Sequence, residues 1–130
     1  MSVMALDSKS FGPMLARPGI LLVEWWAAWC DSYWVFGPVL ERLVGRYEGV
    51  TLARVDVDAQ PELVGVMGVQ ALPTLMVFRD GYLLLNHVGA LPDSTLDHVV
   101  RQAQGLDMEG RRRLGPGAGK TRVRVGPLGM

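Results

Sequence analysis

Short apolar runs typical of β-strands alternate with longer segments whose apolar residues recur at helical spacing, throughout the first 104 residues. This alternation favours crossover connections between parallel strands, and therefore an α/β fold. Asp80–Gly81, between two apolar runs, also predicts a hairpin turn. The pattern predicts the element order β-α-β-α-β-α-β-β-α, with strands at Val3–Leu6, Ile20–Trp26, Val50–Val57, Leu75–Phe78 and Tyr82–Val88 and helices at residues 8–16, Cys30–Arg46, Pro61–Val66 and 93–104.

The second predicted strand, Ile20–Trp26, is apolar apart from Glu24. A run of this kind indicates a strand that is buried on both faces of the sheet. Trp25 and Trp26 are neighbours in the strand, so their side chains point to opposite faces and at least one of them should lie in the core. Trp34, in the following helix, is expected to be exposed and to serve as an interface anchor, and the alternative is a core or self-association role.

The composition of the chain changes near residue 105. Residues 105–130 are rich in glycine, include two prolines and have no aromatic residue, a composition that buries too little apolar surface to offset chain entropy. This segment carries six basic and two acidic residues, whereas residues 1–104 carry seven basic and eleven acidic ones. We therefore predict a folded domain at 1–104 and a flexible basic tail at 105–130, which is either solvated or docks on an acidic partner.

Several classes of function are not expected from the composition. A single cysteine excludes an intramolecular disulfide, and His87 and His98 are too far apart to suggest zinc ligands, so neither a metal nor a cofactor is predicted. The apolar residues around Glu24 fall short of the ~20 that a membrane span needs. Arg111–Arg113 alone is a weak nucleic-acid signal, so no such partner is predicted. The first residues do not have the pattern of a secretory signal, which favours a cytoplasmic location.

The segment Trp29-Cys-Asp-Ser-Tyr-Trp-Val-Phe-Gly-Pro38 carries the main chemical motif. It resembles the active site of the thioredoxin family, Trp-Cys-Gly-Pro-Cys followed by a helix with an internal proline. The resemblance implies a thioredoxin fold, with a central mixed β-sheet flanked by helices on both faces. Further segments that resemble the family are Leu22–Trp26, Arg54–Asp58, Leu72–Thr74 and Val88–Ala90.

The chain departs from the family motif at the second cysteine, where it has Tyr33. In the family that cysteine resolves the mixed disulfide, which Tyr33 cannot do. A mixed disulfide on Cys30 would persist until glutathione or another external thiol resolved it. We therefore expect a poor dithiol reductase, and two hypotheses remain: monothiol thiol–disulfide exchange through Cys30, or a redox-inactive module that binds partners as a chaperone-like or assembly factor.

The predicted position of Cys30, at the start of a helix, affects its ionisation in two directions. The unpaired amides and the positive end of the helix dipole favour the thiolate. Asp31, a neighbouring carboxylate, disfavours a second negative charge. The phenol of Tyr33 either donates a hydrogen bond to the sulfur or is a packed helix residue.

Glu24 lies where the family has a buried acid that moves protons for the second cysteine. The resemblance therefore implies a catalytic proton relay at Glu24. A carboxyl in an apolar strand is unfavourable to ionise, so its pKa should be raised. The alternative is a partly hydrated structural carboxyl.

A substrate groove around Cys30 is also implied by the resemblance. Leu72-Pro73 resembles the cis-proline turn that faces the cysteine in the family and presents its backbone to an extended protein substrate. Under oxidation, two chains could join through Cys30. The residues assigned to substrate binding are Trp29, Asp31, Ser32, Leu72, Pro73 and Gly89.

Overall fold

The computed structural model of the chain describes residues 3–109. The observed order of elements matches the predicted one. The strands are β1 (Val3–Ala5), β2 (Ile20–Trp26), β3 (Val50–Asp56), β4 (Thr74–Arg79) and β5 (Tyr82–Val88), and the helices are α1 (Phe11–Leu15), α2 (Asp31–Gly45), α3 (Pro61–Met67) and α4 (Asp93–Gln104).

Helix α1 is shorter than the predicted 8–16. Asp7 caps the turn ahead of the helix: its Oδ1 accepts hydrogen bonds from the backbone amides of Lys9 and Ser10 at 2.9 and 2.8 Å, and its carbonyl accepts one from the amide of Phe11 at 3.0 Å. Residues 8–10 form turns, and the helix begins at Phe11.

The five strands form one mixed sheet in the order β1-β3-β2-β4-β5. β3 runs parallel to both β1 and β2, while β4 runs antiparallel to β2 and β5. β2 therefore occupies the centre, as its apolar composition predicted. Two pairs in the register place the site: Glu24 lies opposite Arg54 of β3, and Trp25 lies opposite Thr74 of β4.

Each face of the sheet has its own hydrophobic core. Leu22 of β2 packs on the face covered by α2 and α4, whereas Val23 and Trp25 pack on the face covered by α1 and α3. Trp25 is fully buried and Trp26 half-buried, which confirms that the two rings point to opposite faces. The same alternation directs Glu24 and Trp26 toward α2.

The packed part of the chain reaches beyond α4. Leu106 packs against the core under α2 and α4, and Met108 is buried. The division into a domain at 1–104 and a tail at 105–130 stays a prediction, because residues 110–130 lie outside the described residues. Within residues 3–109, no helix is long and apolar enough to cross a membrane.

We predict that Leu40→Ala destabilises the fold strongly. Leu40 is completely buried between α2 and the sheet, and removing a buried leucine side chain leaves a cavity that lowers the free energy of unfolding by about 2–5 kcal/mol. Urea unfolding measures the change. Val35→Ala, at a position of the same helix that is 73% exposed, is the matched control and should change stability by less than ~0.5 kcal/mol. Equal losses in both variants would contradict the packing of α2.

Candidate functional site

Cys30 lies immediately before α2, as its N-cap residue. Its backbone is extended, with φ −90° and ψ 110°, and its amide donates a hydrogen bond to the carbonyl of Ala27 at 3.1 Å. Only 9% of the surface of this residue is exposed to solvent. Cys30 therefore lies at the start of a helix, next to the backbone amides of the first turn, as the sequence predicted.

The sulfur of Cys30 lies 3.5 Å from the hydroxyl oxygen of Ser32, within hydrogen-bonding distance for sulfur. Of the two alternatives for Tyr33, a hydrogen bond to the Cys30 sulfur is not found among residues 3–109. Tyr33 packs beneath the helix instead, because Trp26 on the sheet provides an aromatic surface for its ring. Ser32, assigned to substrate binding, thus contacts the sulfur itself.

Tyr33 fills the space between α2 and the sheet. Its ring stacks on Trp26 with centroids 4.4 Å apart and an interplanar angle of 23°. The guanidinium carbon of Arg54 lies 5.4 Å from the centroid of the same ring, within the range of a cation–π contact. Trp34 meets Tyr33 edge-on at 5.0 Å. The alternative of a packed helix residue is therefore confirmed for Tyr33.

Glu24 forms a buried ion pair with Arg54. The Nε of Arg54 donates to Oε1 of Glu24 at 2.7 Å, and its Nη2 donates to Glu41 at 2.9 Å and to the carbonyl of Gly37 at 3.1 Å. The side chains of Glu24, Arg54 and Glu41 are 0%, 13% and 44% exposed. One guanidinium thus joins the centre of the sheet to the second and third turns of α2.

The ionisation of Glu24 follows from this burial. Desolvation raises the pKa of Glu24 above its ordinary value, and the hydrogen bond and charge of Arg54 offset only part of that effect. Oε2 of Glu24 is buried without a hydrogen-bonding partner among the described residues, which makes the anion still less favourable. The predicted rise in pKa is confirmed, and the carboxyl has no exposed surface.

Exposed tryptophans flank the cysteine. Trp29 is 67% exposed, and its indole Nε1 donates to Asp58 at 2.9 Å. Trp34 is 63% exposed, and its Nε1 donates to the carbonyl of Ala28 at 3.3 Å. The predicted exposure of Trp34 is confirmed. Two aromatic rings are therefore held at the surface by hydrogen bonds at their polar edges.

The turn before β4 lies at the same edge of the sheet. The Leu72–Pro73 peptide bond is cis, as the resemblance implied. Because Thr74 pairs with Trp25, Pro73 lies at the end of β2 from which the chain leads to Cys30. The amide of Gly89 donates to the carbonyl of Pro73 at 2.8 Å, so Gly89 adjoins the turn. Among residues 3–109, no cluster of three or more metal-ligating side chains occurs.

Comparison with known proteins decides the family. The sequence model of the Thioredoxin family matches residues 2–102. The chain is 34% identical over 112 residues to a putative thioredoxin 2 of Streptomyces coelicolor, across 86% of this chain and 84% of that protein. The chain belongs to the thioredoxin family. A thioredoxin of Chlorobaculum thiosulfatiphilum is 36% identical over 102 residues, across 78% of this chain and 94% of the relative.

Solved structures show the same fold. A chloroplastic thioredoxin z superposes with a TM-score of 0.75 at 23% identity, across 82% of this chain and 97% of its own. A mutant thioredoxin from Halobacterium salinarum gives 0.74 at 23% identity, across 82% and 94%. The thioredoxin fold, a mixed sheet with helices on both faces, is thus established. The relatives support a thiol–disulfide redox role in general terms.

Arg54 is not among the site residues predicted from the sequence, although it lies in the segment Arg54–Asp58 that resembles the thioredoxin family. A signal was available, because Arg54 and Glu24 are charged positions within neighbouring apolar strands. Opposite charges at two such positions indicate a buried ion pair once the strands are known to be adjacent and in register.

We predict that Glu24 makes stability depend on pH. Because its pKa is raised in the folded chain, the folded state binds a proton more readily than the unfolded one, and stability falls as pH rises above the ordinary value of 4.5. Glu24→Gln removes this titration. Relative to the wild type, the variant should therefore gain stability with rising pH above 4.5 and show a constant difference below it.

Urea unfolding at a series of pH values measures that difference. The informative quantity is how this stability difference changes with pH, because the glutamine side chain of Glu24→Gln also weakens the hydrogen bond to Arg54 at every pH. Glu41→Gln is the control, since it removes a carboxylate from the same guanidinium at a position that is 44% exposed. A pH-independent difference between Glu24→Gln and the wild type would contradict the raised pKa.

Proposed function

We propose that the protein performs monothiol thiol–disulfide exchange, with Cys30 as its nucleophile, and so contributes to cell redox homeostasis. The observation that carries this proposal is the packing of Tyr33, which fills the position of the family's second cysteine with a ring stacked on Trp26. Cys30 is the only cysteine of the chain. Resolution of a mixed disulfide on Cys30 must therefore come from a thiol outside the chain.

The cycle takes two exchange steps. The Cys30 thiolate attacks the glutathione sulfur of a mixed disulfide between a protein and glutathione; the S–S bond breaks, and the protein leaves as a thiolate that takes up a proton. A second glutathione thiolate then attacks the glutathione on Cys30. Glutathione disulfide leaves and the Cys30 thiolate is regenerated. The protein sulfur is reduced and the incoming glutathione sulfur is oxidised, so the electrons balance; another external thiol would serve in the same way.

The surface around Cys30 supports a protein substrate. Trp29, Asp31, Leu72, Pro73 and Gly89 keep their assignment to substrate binding within this proposal. Exposed aromatic side chains contribute large contact areas at low entropic cost. The 67% exposure of Trp29 supports the assignment, as does the hydrogen bond from the amide of Gly89 to the carbonyl of Pro73.

A proton-transfer role for Glu24 belongs to the same proposal. The raised pKa of Glu24 and its burial support such a role, since a carboxyl whose pKa is shifted toward the working pH can accept and release a proton more readily. The ion pair with Arg54 limits its freedom to move. A cytoplasmic location is also part of the proposal, because glutathione and related thiols are kept reduced there.

A second function is favoured by the contrast in exposure at the site. Cys30 is 9% exposed, whereas the neighbouring Trp29 and Trp34 are 67% and 63% exposed. Such a surface suits a redox-inactive module that holds a partner as a chaperone-like or assembly factor. The low exposure of Cys30 also disfavours disulfide-linked dimers, because two nearly buried sulfur atoms would have to come into contact.

We predict that the wild type releases glutathione disulfide from a glutathionylated peptide in the presence of glutathione, and that Cys30→Ser does not. Serine keeps the size of the side chain but lacks a nucleophilic thiolate at neutral pH. Spectrophotometric detection of glutathione disulfide measures the rate. Equal rates with the wild type, with Cys30→Ser and without protein would reject the exchange reaction and leave the binding module.

We predict that Tyr33→Cys gains dithiol reductase activity. The new thiol lies three residues along α2, on the face of the helix shared with the helix start, where it can attack a mixed disulfide on Cys30. Reduction of insulin disulfides with dithiothreitol should accelerate severalfold over the wild type. Tyr33→Ala removes the same ring without adding a thiol and should stay at the wild-type rate. An equal gain in both variants would show that the ring, and not the missing thiol, limits the reaction.

A further inference from the structure

The Cys30 sulfur has no hydrogen bond of the usual N-cap type. N-cap side chains normally accept a hydrogen bond from an amide one turn into the helix, but Cys30 makes no such side-chain bond to α2. Its contact is instead with the hydroxyl of Ser32, at 3.5 Å. Ser32 is the second residue of α2 and is half-buried beside the sulfur.

The ionisation state of the cysteine decides which atom donates. In the thiol form, either the S–H or the O–H group can be the donor. In the thiolate form the sulfur has no proton, so only the Ser32 hydroxyl can donate. A hydrogen bond from a neutral donor to an anion is stronger than one between neutral groups. The contact therefore stabilises the thiolate more than the thiol.

We propose that Ser32 is the positioning residue of this site, whose hydroxyl donates a hydrogen bond to the Cys30 sulfur and stabilises it in its nucleophilic form. This role replaces the assignment of Ser32 to substrate binding. The role falls to Ser32 and not to Tyr33. Tyr33 carries the other hydroxyl group within three residues after Cys30, but its ring stacks on Trp26.

The charged side chains near Cys30 leave its thiolate without another stabilising side-chain hydrogen bond. Asp31 is exposed at the first position of α2, and its carboxylate disfavours a second negative charge nearby. The Arg54 guanidinium is already bonded to Glu24, Glu41 and the carbonyl of Gly37. No other side chain of the described residues hydrogen-bonds to the sulfur. The hydrogen bond from the Ser32 hydroxyl thus stabilises the Cys30 thiolate, which the Asp31 carboxylate destabilises.

The test is the pH dependence of Cys30 alkylation by iodoacetamide in the full chain. The thiolate sulfur attacks the methylene carbon, a C–S bond forms and iodide leaves, so the rate follows the thiolate fraction. The variants are Ser32→Ala, which removes the hydroxyl, and Ser32→Thr, which retains it. Ser94→Ala is the matched control, because Ser94 is the second residue of α4 as Ser32 is of α2.

We expect Ser32→Ala to move the midpoint of the rate profile upward by about one pH unit, the size of one hydrogen bond to a charged group. At pH values well below the midpoint the rate should fall roughly threefold, because a roughly tenfold smaller thiolate fraction is partly offset by a more nucleophilic thiolate, and for the same reason the plateau at high pH should rise roughly threefold. Ser32→Thr and Ser94→Ala should keep the wild-type midpoint. Greater exposure of the sulfur alone would instead move the midpoint downward, because the thiolate would be better hydrated.

Three results would overturn the proposal: an unchanged midpoint in Ser32→Ala, the same shift in Ser94→Ala, or the same shift in Ser32→Thr. The inference rests on the proposed thiol chemistry of Cys30, but the two fail separately, because alkylation needs neither a disulfide substrate nor an external thiol. A chain that shows the Ser32-dependent midpoint without glutathione turnover contradicts only the proposed function. Turnover with an unchanged midpoint contradicts only the role of Ser32.

Discussion

The buried pair of Glu24 and Arg54 connects the centre of the sheet to the helix that begins at the cysteine. The two residues are direct neighbours in β2 and β3, and Arg54 extends further to Glu41 and the carbonyl of Gly37. Removing two charges from water is unfavourable unless good geometry and further hydrogen bonds compensate. The two additional bonds of Arg54 compensate on the guanidinium side, whereas Oε2 of Glu24 has no partner among the described residues. Loss of one partner from such a pair typically costs about 3–5 kcal/mol, so the position of α2 on the sheet depends on it.

The packing around Arg54 also explains why position 33 can be a tyrosine. The Tyr33 ring is enclosed by Trp26, by the Arg54 guanidinium and by the backbone at Gly37. A Cβ atom at Gly37 would lie 3.0 Å from Nη2 of Arg54 and 3.4 Å from the Tyr33 ring, so a larger residue there would displace one of them. Position 33, where the family motif has its second cysteine, thus holds an aromatic side chain packed between Trp26 and Arg54.

Much of the fold could be predicted from the sequence, because the signals of β2, β5 and α4 are local ones. Apolar runs, helical spacing and the Asp80–Gly81 turn each lie within one short segment. The start of α1 could not be predicted from periodicity, because residues 8–10 form turns capped by the side chain of Asp7 before the helix begins at Phe11. Of the site, the cysteine at a helix start, the cis peptide bond before Pro73 and the raised pKa of Glu24 were predicted correctly.

The sequence by itself determined the order of the elements, the thioredoxin resemblance and the presence of one thiol where the family motif has two. Only the tertiary structure decided that Glu24 pairs with Arg54, 30 residues away, and that the sulfur contacts Ser32 rather than Tyr33. The physical reason is that local periodicity indicates which face of a strand or helix a residue occupies, but not which residue of another element lies opposite it. That choice depends on strand register and on the rotation of α2 against the sheet, which form only when the whole core packs.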